Sequence, residues 1–325
     1  MAHPMLVADV SGDFASAVRA GLAQAQKVIP ARFFYDRAGS ELFEDITRLA
    51  EYYPTRTEIG LLTAHAAALA AAVGPGRAVI EFGSGSSAKT PLLLGAIRPG
   101  AYVPVDISAA FLAESAAALG ARFPGLPVLP VAADFTQDFR VPAAIMGMQR
   151  LGFFPGSTLG NLAPVAAVDL LRRFASVLGA GSALIIGLDL APGPGKSVAE
   201  LEAAYDDAAG VTAAFNLNLL HRINRELGGD IETDAFAHRA LWNPDLGRIE
   251  MHLVARRALV FSAAGRQFAM AAGETIHTEN SYKWMLAEAR MLAMASGWAP
   301  VNSWTDADGR FSLNLWQRDD ARMQP

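Results

Sequence analysis

The sequence predicts an α/β fold: a doubly wound, mostly parallel sheet that ends in an antiparallel hairpin, with a second lobe beside it. Between residues 77 and 190, short β-rich runs alternate with helical patterns, and this alternation is typical of parallel βαβ units. The strand candidates are nearly continuous apolar runs, as expected for a sheet covered on both faces. The last two strand candidates are joined by Asp306-Ala-Asp-Gly309, which predicts a hairpin.

The parallel part of the sheet is predicted element by element. Its strand candidates are 77–82, 101–106, 128–133, 150–154 and 183–190, and the helices between them are 90–97, 109–122 and 165–178. Pro99-Gly100 ends the first helix and Gly179 ends the third, because proline and glycine interrupt regular structure.

The chain beyond residue 190 predicts the second lobe. A proline- and glycine-rich segment, 191–195, ends the alternation. The elements predicted after it are helices 197–209, 212–227 and 282–296 and strands 248–257, 259–262, 266–271, 301–305 and 311–317. We therefore expect a core of 61–192 and 283–325, a substrate-binding lobe of 1–60 and 193–282, and a small-molecule site in the cleft between them.

The composition excludes several kinds of site. The chain has 325 residues, of which 52% are hydrophobic, enough to bury a sizeable core. It has no cysteine, which excludes disulfide scaffolds, zinc–thiolate sites, iron–sulfur clusters and cysteine nucleophiles. A net charge of −5 without a basic block argues against nucleic-acid binding. The six histidines show no ligand spacing, and no Gly-x-Ser-x-Gly motif with a plausible triad is found, so we expect neither a metal nor a serine hydrolase.

The N-terminal segment and the apolar runs predict a cytoplasmic protein. The first ten residues lack a basic region followed by a long apolar stretch, so we expect no signal peptide. The most apolar run, 61–73, is too short to span a bilayer.

A glycine-rich segment, 81–90, lies between the first strand and the first helix. Its glycines permit a tight turn and close approach to a ligand, and the helix that follows offers free N–H groups. A P-loop is disfavoured because alanine replaces the glycine that precedes Lys89. Gly83, Gly85 and Ala88 fit a dinucleotide fingerprint, which allows alanine at the third position. They also fit an S-adenosylmethionine site, in which Glu81 is the acid two residues before the first glycine.

Acidic residues at the ends of the next two strands extend this site. Asp106 ends the second strand, where a carboxylate would bind ribose hydroxyls of either nucleotide. Asp134 and Phe135 follow the third strand and suit the edge and the face of an adenine ring. The terminal hairpin also favours a methyltransferase over a dehydrogenase. A nicotinamide-binding oxidoreductase and a purely structural glycine turn remain as alternatives.

Six segments, taken together, carry a specific resemblance. They are 31–44, 51–56, 81–87, 105–108, 153–161 and 278–281. In this order the chain resembles the histidine Nα-methyltransferases of ergothioneine biosynthesis. The resemblance implies a Rossmann-like class I methyltransferase core with an inserted substrate-binding lobe, and S-adenosyl-L-methionine as cofactor. It also implies three successive methyl transfers to the α-amine of L-histidine, giving hercynine. The expected partner is this small molecule alone, without nucleic acid or membrane, and we expect a monomer.

The resemblance implies roles for individual residues. The catalytic residues are Tyr35 and Asn161, both near the reacting amine. The substrate-binding residues are Tyr53, Asn161, Tyr205, Met251, Glu279 and Ser281. The cofactor-binding residues are Tyr53, Glu81, Gly83, Ser84, Gly85, Lys89, Asp106, Asp134 and Phe135.

Four of these side chains also have an ordinary structural explanation. Tyr35 belongs to an aromatic cluster that would suit a core, and Tyr53 would serve as a packing tyrosine held extended by the proline after it. Tyr205 is a helix-face aromatic if helix 197–209 forms, and Met251 is an ordinary residue of a strand.

The other three substrate residues have capping alternatives. Asn161 suits an N-cap before Pro164. Glu279 and Ser281 would share one side of an extended segment and could hold the two ring nitrogens of imidazole. In a helical segment, Ser281 would instead cap a helix that begins at Tyr282.

Two further functions remain open from the sequence. One is an N-methyltransferase of the same family that acts on another amino acid such as a tryptophan derivative, although an indole offers only one N–H to Glu279 and Ser281. The other is a ligand-binding protein without catalysis, which no sequence feature supports.

Overall fold

The computed structural model describes residues 10–85 and 89–318. Of the glycine-rich segment, Ser86, Ser87 and Ala88 lie outside the described residues. The helices are α1 (Val10–Leu22), α2 (Arg37–Arg48), α3 (Tyr53–Ala64), α4 (Ala66–Val73), α5 (Thr90–Ile97), α6 (Ala109–Arg122), α7 (Pro164–Leu178), α8 (Val198–Ala203), α9 (Val211–Leu227) and α10 (Leu286–Ala295). The strands are β1 (Lys27–Val28), β2 (Ala78–Phe82), β3 (Ala101–Asp106), β4 (Val131–Ala132), β5 (Arg150–Phe154), β6 (Ala183–Asp189), β7 (Phe236–Asn243), β8 (Arg248–Ala255), β9 (Leu259–Ala263), β10 (Arg266–Met270), β11 (Thr275–Tyr282), β12 (Trp298–Thr305) and β13 (Phe311–Arg318).

In the described part of the chain, seven strands form one sheet in the order β12-β13-β6-β5-β2-β3-β4. The five strands from β6 to β4 pair in parallel, whereas β13 pairs antiparallel with both β6 and β12. The order reverses between β2 and β5, and such a switch point opens a crevice at the carboxyl ends of the strands. The predicted parallel sheet with a terminal antiparallel hairpin is confirmed.

Both faces of this sheet are covered, which explains its continuous apolar strands. Every residue of β2 and β6 is buried. Val79 packs with the leucines of α3, α4 and α5 on one face. Its neighbour Ile80 packs with α7 and α10 on the other, because successive side chains of a strand point to opposite faces.

The chain divides into two compact units. We call residues 53–198 and 281–318 the sheet unit, and residues 10–52 and 199–280 the insert unit. The predicted boundary at residue 60 lies inside α3, which packs against β13, α4 and α5. The first division therefore falls between Tyr52 and Tyr53.

The insert unit contains its own four-stranded sheet, in the order β1-β11-β8-β7, and the β9–β10 hairpin. Helix α2 packs against α9, and Asp36 connects them. Its carboxylate accepts from the Gly39 backbone N–H at 2.7 Å, which caps α2, and from the Asn218 amide of α9 at 2.9 Å. Neither β7 nor β11 was predicted from the sequence.

Two predicted helices were wrong in extent. The helix predicted from Tyr282 begins at Leu286, because the residues before it extend β11 and pair with the chain after β6. The N–H of Ala191, just after β6, donates to the Trp284 carbonyl at 3.1 Å. The helix predicted over 197–209 ends at Ala203, because the Asp207 carboxylate caps the start of α9.

One predicted strand is shorter than expected. Of the segment 128–133, only Val131–Ala132 forms a strand, and Val128 makes an isolated bridge to Tyr102. Pro130 lies between them and has no N–H for a sheet ladder. Among the described helices, none is both long and apolar enough to cross a membrane.

Candidate active site

The glycine turn after β2 is organised by Asp106 at the end of β3. Gly83 and Gly85 have positive φ angles of 73° and 49°, which glycine adopts without strain. The Gly85 N–H donates to Asp106 Oδ2 at 3.0 Å, and the Ser108 N–H donates to Oδ1 at 3.0 Å. A Cβ on Gly85 would meet no described atom within 4 Å. The open space at Gly85 and the carboxylate beside it are compatible with the predicted cofactor.

The loop after β4 lies against the same turn. A Cβ on Gly83 would sit 3.2 Å from the Phe135 ring, and that ring makes an edge contact with Phe154 at 5.6 Å between centroids. Asp134 Oδ1 accepts from the Thr136 N–H at 2.8 Å and from its hydroxyl at 2.6 Å. The structure thus brings the Phe135 ring against Gly83 of the glycine turn.

Glu81 is a buried carboxyl inside the sheet. Its Oε2 accepts from the Thr90 hydroxyl at 2.7 Å and from the Tyr102 hydroxyl at 2.6 Å. The pKa of Glu81 is raised to about 7, because the effect of burial outweighs these two hydrogen bonds, which lower the pKa. Glu81 therefore ties the start of α5 to β3, beneath the turn that contains the buried Ser84.

Lys89 is paired with a carboxylate that sequence analysis missed. Its Nζ contacts Oε2 of Glu58 at 2.5 Å, and the Gly156 N–H donates to the same oxygen at 2.9 Å. The Glu58 side chain is fully buried. The available signal was its spacing from Leu61 and Leu62, which places all three on one face of α3.

A buried charge cluster lies at the carboxyl end of β6. The Tyr53 hydroxyl donates to both carboxylate oxygens of Asp189 at 2.9 Å. Lys196 Nζ lies 2.5 Å from Oδ1, and Lys283 Nζ lies 2.7 Å from Oδ2. Lys283 also donates to the Ser281 hydroxyl at 2.7 Å. This cluster joins two of the predicted substrate residues, and sequence analysis found none of its three charged members.

The charges of this cluster depend on one another. Burial alone would raise the pKa of Asp189, but the ammonium groups of Lys283 and Lys196 hold it below its ordinary value. The pKa of Lys196 is lowered to about 8, because burial and the ammonium group of Lys283 together outweigh the opposing effect of Asp189. Asp189 is therefore an acceptor at neutral pH.

Asn161 ends a 3₁₀ turn, Thr158–Asn161, that follows β5. In this turn the Gly160 backbone lies so close to β11 that a Cβ would be 2.7 Å from the Tyr282 carbonyl oxygen and 3.6 Å from Ser281 Oγ. The N-cap of α7 is Ala163, so the capping alternative for Asn161 is excluded. The structure brings the turn of Asn161 next to Ser281.

In the insert unit, two predicted tyrosines join one aromatic cluster. Tyr35 makes an edge contact with Phe43 at 5.8 Å between centroids. Phe43 contacts Tyr52 at 6.3 Å, and Tyr52 contacts Tyr205 at 6.1 Å. Tyr205 lies in the turn after α8 rather than in a helix, because that helix ends early.

Met251 and Glu279 lie on the neighbouring strands β8 and β11. Met251 is 2% exposed, and its carbonyl accepts from the Thr278 hydroxyl at 3.0 Å. Glu279 is half-buried. Because β11 continues through Tyr282, Glu279 and Ser281 lie in an extended segment, and the alternative of a helix capped by Ser281 is excluded.

The insert unit also brings together a carboxylate and two histidines that the sequence analysis did not predict to be neighbours. One ligand-type atom each from Glu250, His252 and His277 lies within 4.8 Å of the others. The His252 ring stacks on His277 at 4.6 Å, and its Nε2 lies 3.1 Å from Glu250 Oε2. Arg248 and Asn243 donate to Oε1 at 2.6 Å and 3.0 Å. The guanidinium of Arg248 thus forms an ion pair with the carboxylate of this cluster.

The comparisons with known proteins identify the family. A family model described as histidine-specific methyltransferase, SAM-dependent, matches residues 14–318. The histidine N-alpha-methyltransferase of Mycolicibacterium smegmatis is 43% identical over 305 residues, covering 92% of each chain. That of Mycobacterium tuberculosis is 40% identical with the same coverage. Ergothioneine biosynthesis protein 1 of Neurospora crassa is 30% identical over 85% of this chain and 32% of its own length. The predicted resemblance is confirmed, and the chain belongs to the family of histidine-specific, S-adenosylmethionine-dependent methyltransferases.

Proposed function

We propose that this methyltransferase trimethylates the α-amine of L-histidine to give hercynine, as a step of ergothioneine biosynthesis. The observation that carries the proposal is the family match over residues 14–318, together with two histidine N-alpha-methyltransferases at 43% and 40% identity. The placement of Tyr53 and Ser281 on one buried cluster, with the turn of Asn161 beside them, supports it.

The residues that hold the methyl donor lie in the sheet unit. S-adenosylmethionine supplies an electrophilic methyl group on a sulfonium. Asp106 binds the ribose hydroxyls, while the backbone of Gly83 and Gly85 allows the donor to approach. Asp134 and Phe135 bind the edge and face of the adenine. The other residues that we propose to line the S-adenosylmethionine site are Tyr53, Glu81, Ser84 and Lys89.

The imidazole of the substrate is held by Glu279, Ser281 and Met251. The Glu279 carboxylate accepts from one ring N–H, and such a charge-assisted hydrogen bond is among the stronger ones. Ser281 binds the other ring nitrogen, and Met251 packs against the ring. This arrangement disfavours an indole, because an indole has one N–H and no second ring nitrogen.

The amino-acid end of the substrate is held by tyrosines and an asparagine. Asn161 offers an acceptor and two donors and can bind both the amine and the carboxylate. Tyr205 contacts the carboxylate, and Tyr35 and Tyr53 orient the amine. The main catalytic work is positioning the amine in line with the methyl group and excluding water. Solvent, or a water linked to a tyrosine, accepts the proton of the amine.

Glu279 provides the sharpest test of substrate choice. We expect Glu279→Ala to lower kcat/KM for histidine about tenfold to a hundredfold, because a hydrogen bond to a charged group is lost. Glu279→Gln, which keeps the shape and one acceptor, is the matched control and should fall less. Retention of wild-type kcat/KM in Glu279→Ala would refute the assignment. The assay is S-adenosylhomocysteine release with L-histidine and with L-tryptophan.

Ligand binding and turnover by the same purified protein distinguish the proposed function from the two alternative enzymes. A protein of this function binds S-adenosylhomocysteine tightly and NADH weakly or undetectably in a fluorescence titration. Tight NADH binding would favour the oxidoreductase, and turnover of tryptophan but not histidine would favour the other amino-acid methyltransferase. We propose that the protein is cytoplasmic, where L-histidine and S-adenosylmethionine are available, and that it is a monomer. Light scattering of the purified chain tests the monomer.

A further inference from the structure

The charge cluster at the end of β6 contains an ammonium group with an unusual pair of partners. The Lys283 side chain is fully buried, with Nζ 2.7 Å from Asp189 Oδ2 and 2.7 Å from Ser281 Oγ. Lys196, equally buried, contacts the same carboxylate but bonds the carbonyls of Leu190 and Arg310 instead of Ser281. Two lysines thus share one carboxylate, and one of them reaches a predicted substrate residue.

The chemistry of an ammonium group fixes the direction of its hydrogen bond to Ser281. Lys283 Nζ has donors and no acceptor, so Ser281 Oγ must accept from it. The hydroxyl proton of Ser281 is then directed to some atom other than Lys283. The ion pair with Asp189, over 2.7 Å, holds Nζ in place for this bond. Toward a ring nitrogen that carries no proton, Ser281 can act only as a donor, while one of its two lone pairs stays occupied by Lys283.

Asp189 has the opposite effect on Tyr53. An ionised carboxylate only accepts, so the Tyr53 hydroxyl donates its proton to Asp189 at 2.9 Å. The phenolic oxygen can then only accept from a ligand. One buried ion pair therefore fixes the direction of a hydrogen bond at both residues, because Tyr53 donates to Asp189 and Ser281 accepts from Lys283.

We propose that Lys283, anchored by Asp189, is a positioning residue that holds Ser281 as a hydrogen-bond donor to the acceptor nitrogen of the substrate ring. The enzyme thereby selects a neutral ring that carries one N–H and one lone-pair nitrogen. This inference rests on the proposed function, because it takes Ser281 as a residue that contacts the substrate imidazole.

The test is a pair of double-mutant cycles on the full-length enzyme. Lys283→Met and Ser281→Ala form the first cycle, and Lys196→Met with Ser281→Ala forms the matched control. Each lysine substitution removes one ammonium from the same carboxylate and leaves one buried ion pair. Only Lys283→Met also removes the donor to Ser281. Steady-state KM for histidine, KM for S-adenosylmethionine and kcat are measured for every variant.

We expect Lys283→Met and Ser281→Ala each to raise KM for histidine about tenfold, the effect of one lost hydrogen bond at a buried site. The double variant should be no worse than Ser281→Ala alone, because Lys283 acts through Ser281. In the control cycle the effects of Lys196→Met and Ser281→Ala should multiply. KM for S-adenosylmethionine should stay within about twofold of the wild type in Lys283→Met, because the proposed S-adenosylmethionine site does not include Ser281.

Multiplying effects of Lys283→Met and Ser281→Ala, or an unchanged KM for histidine in Lys283→Met, would overturn the inference. If Lys283→Met does not fold, Lys283→Arg replaces it, because a guanidinium can still donate to both partners. Its KM for histidine should rise less than that of Ser281→Ala, and a rise equal to that of Ser281→Ala contradicts the inference. A wild-type enzyme that does not methylate histidine refutes the proposed function instead.

Discussion

At the residue scale, the glycine turn depends on one carboxylate, that of Asp106, for which we propose a second role in binding the ribose. Asp106 holds the Gly85 N–H with one oxygen and the Ser108 N–H with the other, each at 3.0 Å. It therefore fixes the glycine turn and the start of α6 at once. The sequence predicted Asp106 from its position at the end of a strand, because that position depends only on local pattern. It did not predict Glu58, which reaches Lys89 from another helix.

We expect Asp106→Ala to weaken S-adenosylhomocysteine binding at least about tenfold, because the turn loses its acceptor and the ribose loses its partner. Asp106→Asn is the matched control. It keeps one acceptor oxygen and should lie between the wild type and alanine. Isothermal titration calorimetry measures the dissociation constants, and equal affinity in the wild type and Asp106→Ala would contradict the ribose role.

Two glycines provide a matched pair of stability tests. A Cβ at Gly160 would lie 2.7 Å from the Tyr282 carbonyl oxygen, whereas a Cβ at Gly60 on α3 would meet no described atom within 4 Å. We expect Gly160→Ala to lower the free energy of unfolding by about 1–3 kcal/mol through overpacking. Gly60→Ala should raise it by about 0.5–1 kcal/mol, since alanine favours the helix. Urea unfolding distinguishes them, and equal effects would refute the close approach of β11 to the turn of Asn161.

At the element scale, sequence patterns predicted the parallel strands better than the strands of the insert unit. Strand β3 and helices α5 and α6 have their predicted bounds, because local periodicity and proline or glycine breakers determine them. The sequence predicted that Tyr282, the last residue of β11, begins a helix, and it assigned no regular structure to the earlier residues of this strand. Its conformation depends on pairing with β1 and on bonds to the segment after β6, both distant in the chain. Such pairings override local propensity.

Strand β2 carries a carboxyl whose titration should be visible in stability. Folding raises the pKa of Glu81 from 4.5 to about 7. Between these values the folded state binds a proton that the unfolded state lacks, so stability falls as pH rises through this window. Between pH 5 and pH 8, the titration of Glu81 should lower the free energy of unfolding of the wild type by on the order of 2–3 kcal/mol.

Glu81→Gln lacks this titration and serves as the control. Its free energy of unfolding should therefore rise relative to the wild type as pH increases from 5 to 8. Urea unfolding at both pH values gives the difference between the two proteins, in which other titrating groups cancel. A constant difference across the range would show that the Glu81 pKa is not raised.

At the scale of the whole molecule, the sequence predicted the sheet, its hairpin and the family. It did not predict the cluster of Asp189, Lys196 and Lys283, nor that of Glu250, His252 and His277. Each cluster joins residues from separate strands or loops, and the spacing of residues along a chain does not report such neighbours. The hydrogen bonds and ion pairs of the candidate site could therefore be found only in the structure, whereas most of the candidate site residues were predicted from sequence motifs.

The most direct test of the account is one incubation of the purified chain with S-adenosylmethionine and L-histidine, read by mass spectrometry. The account predicts histidine that carries three methyl groups on its α-nitrogen, formed through mono- and dimethylated intermediates. Fragmentation should place every added methyl group on the α-nitrogen and leave the imidazole unmodified. Absence of methylated histidine under conditions in which another amino acid is methylated would contradict the central claim.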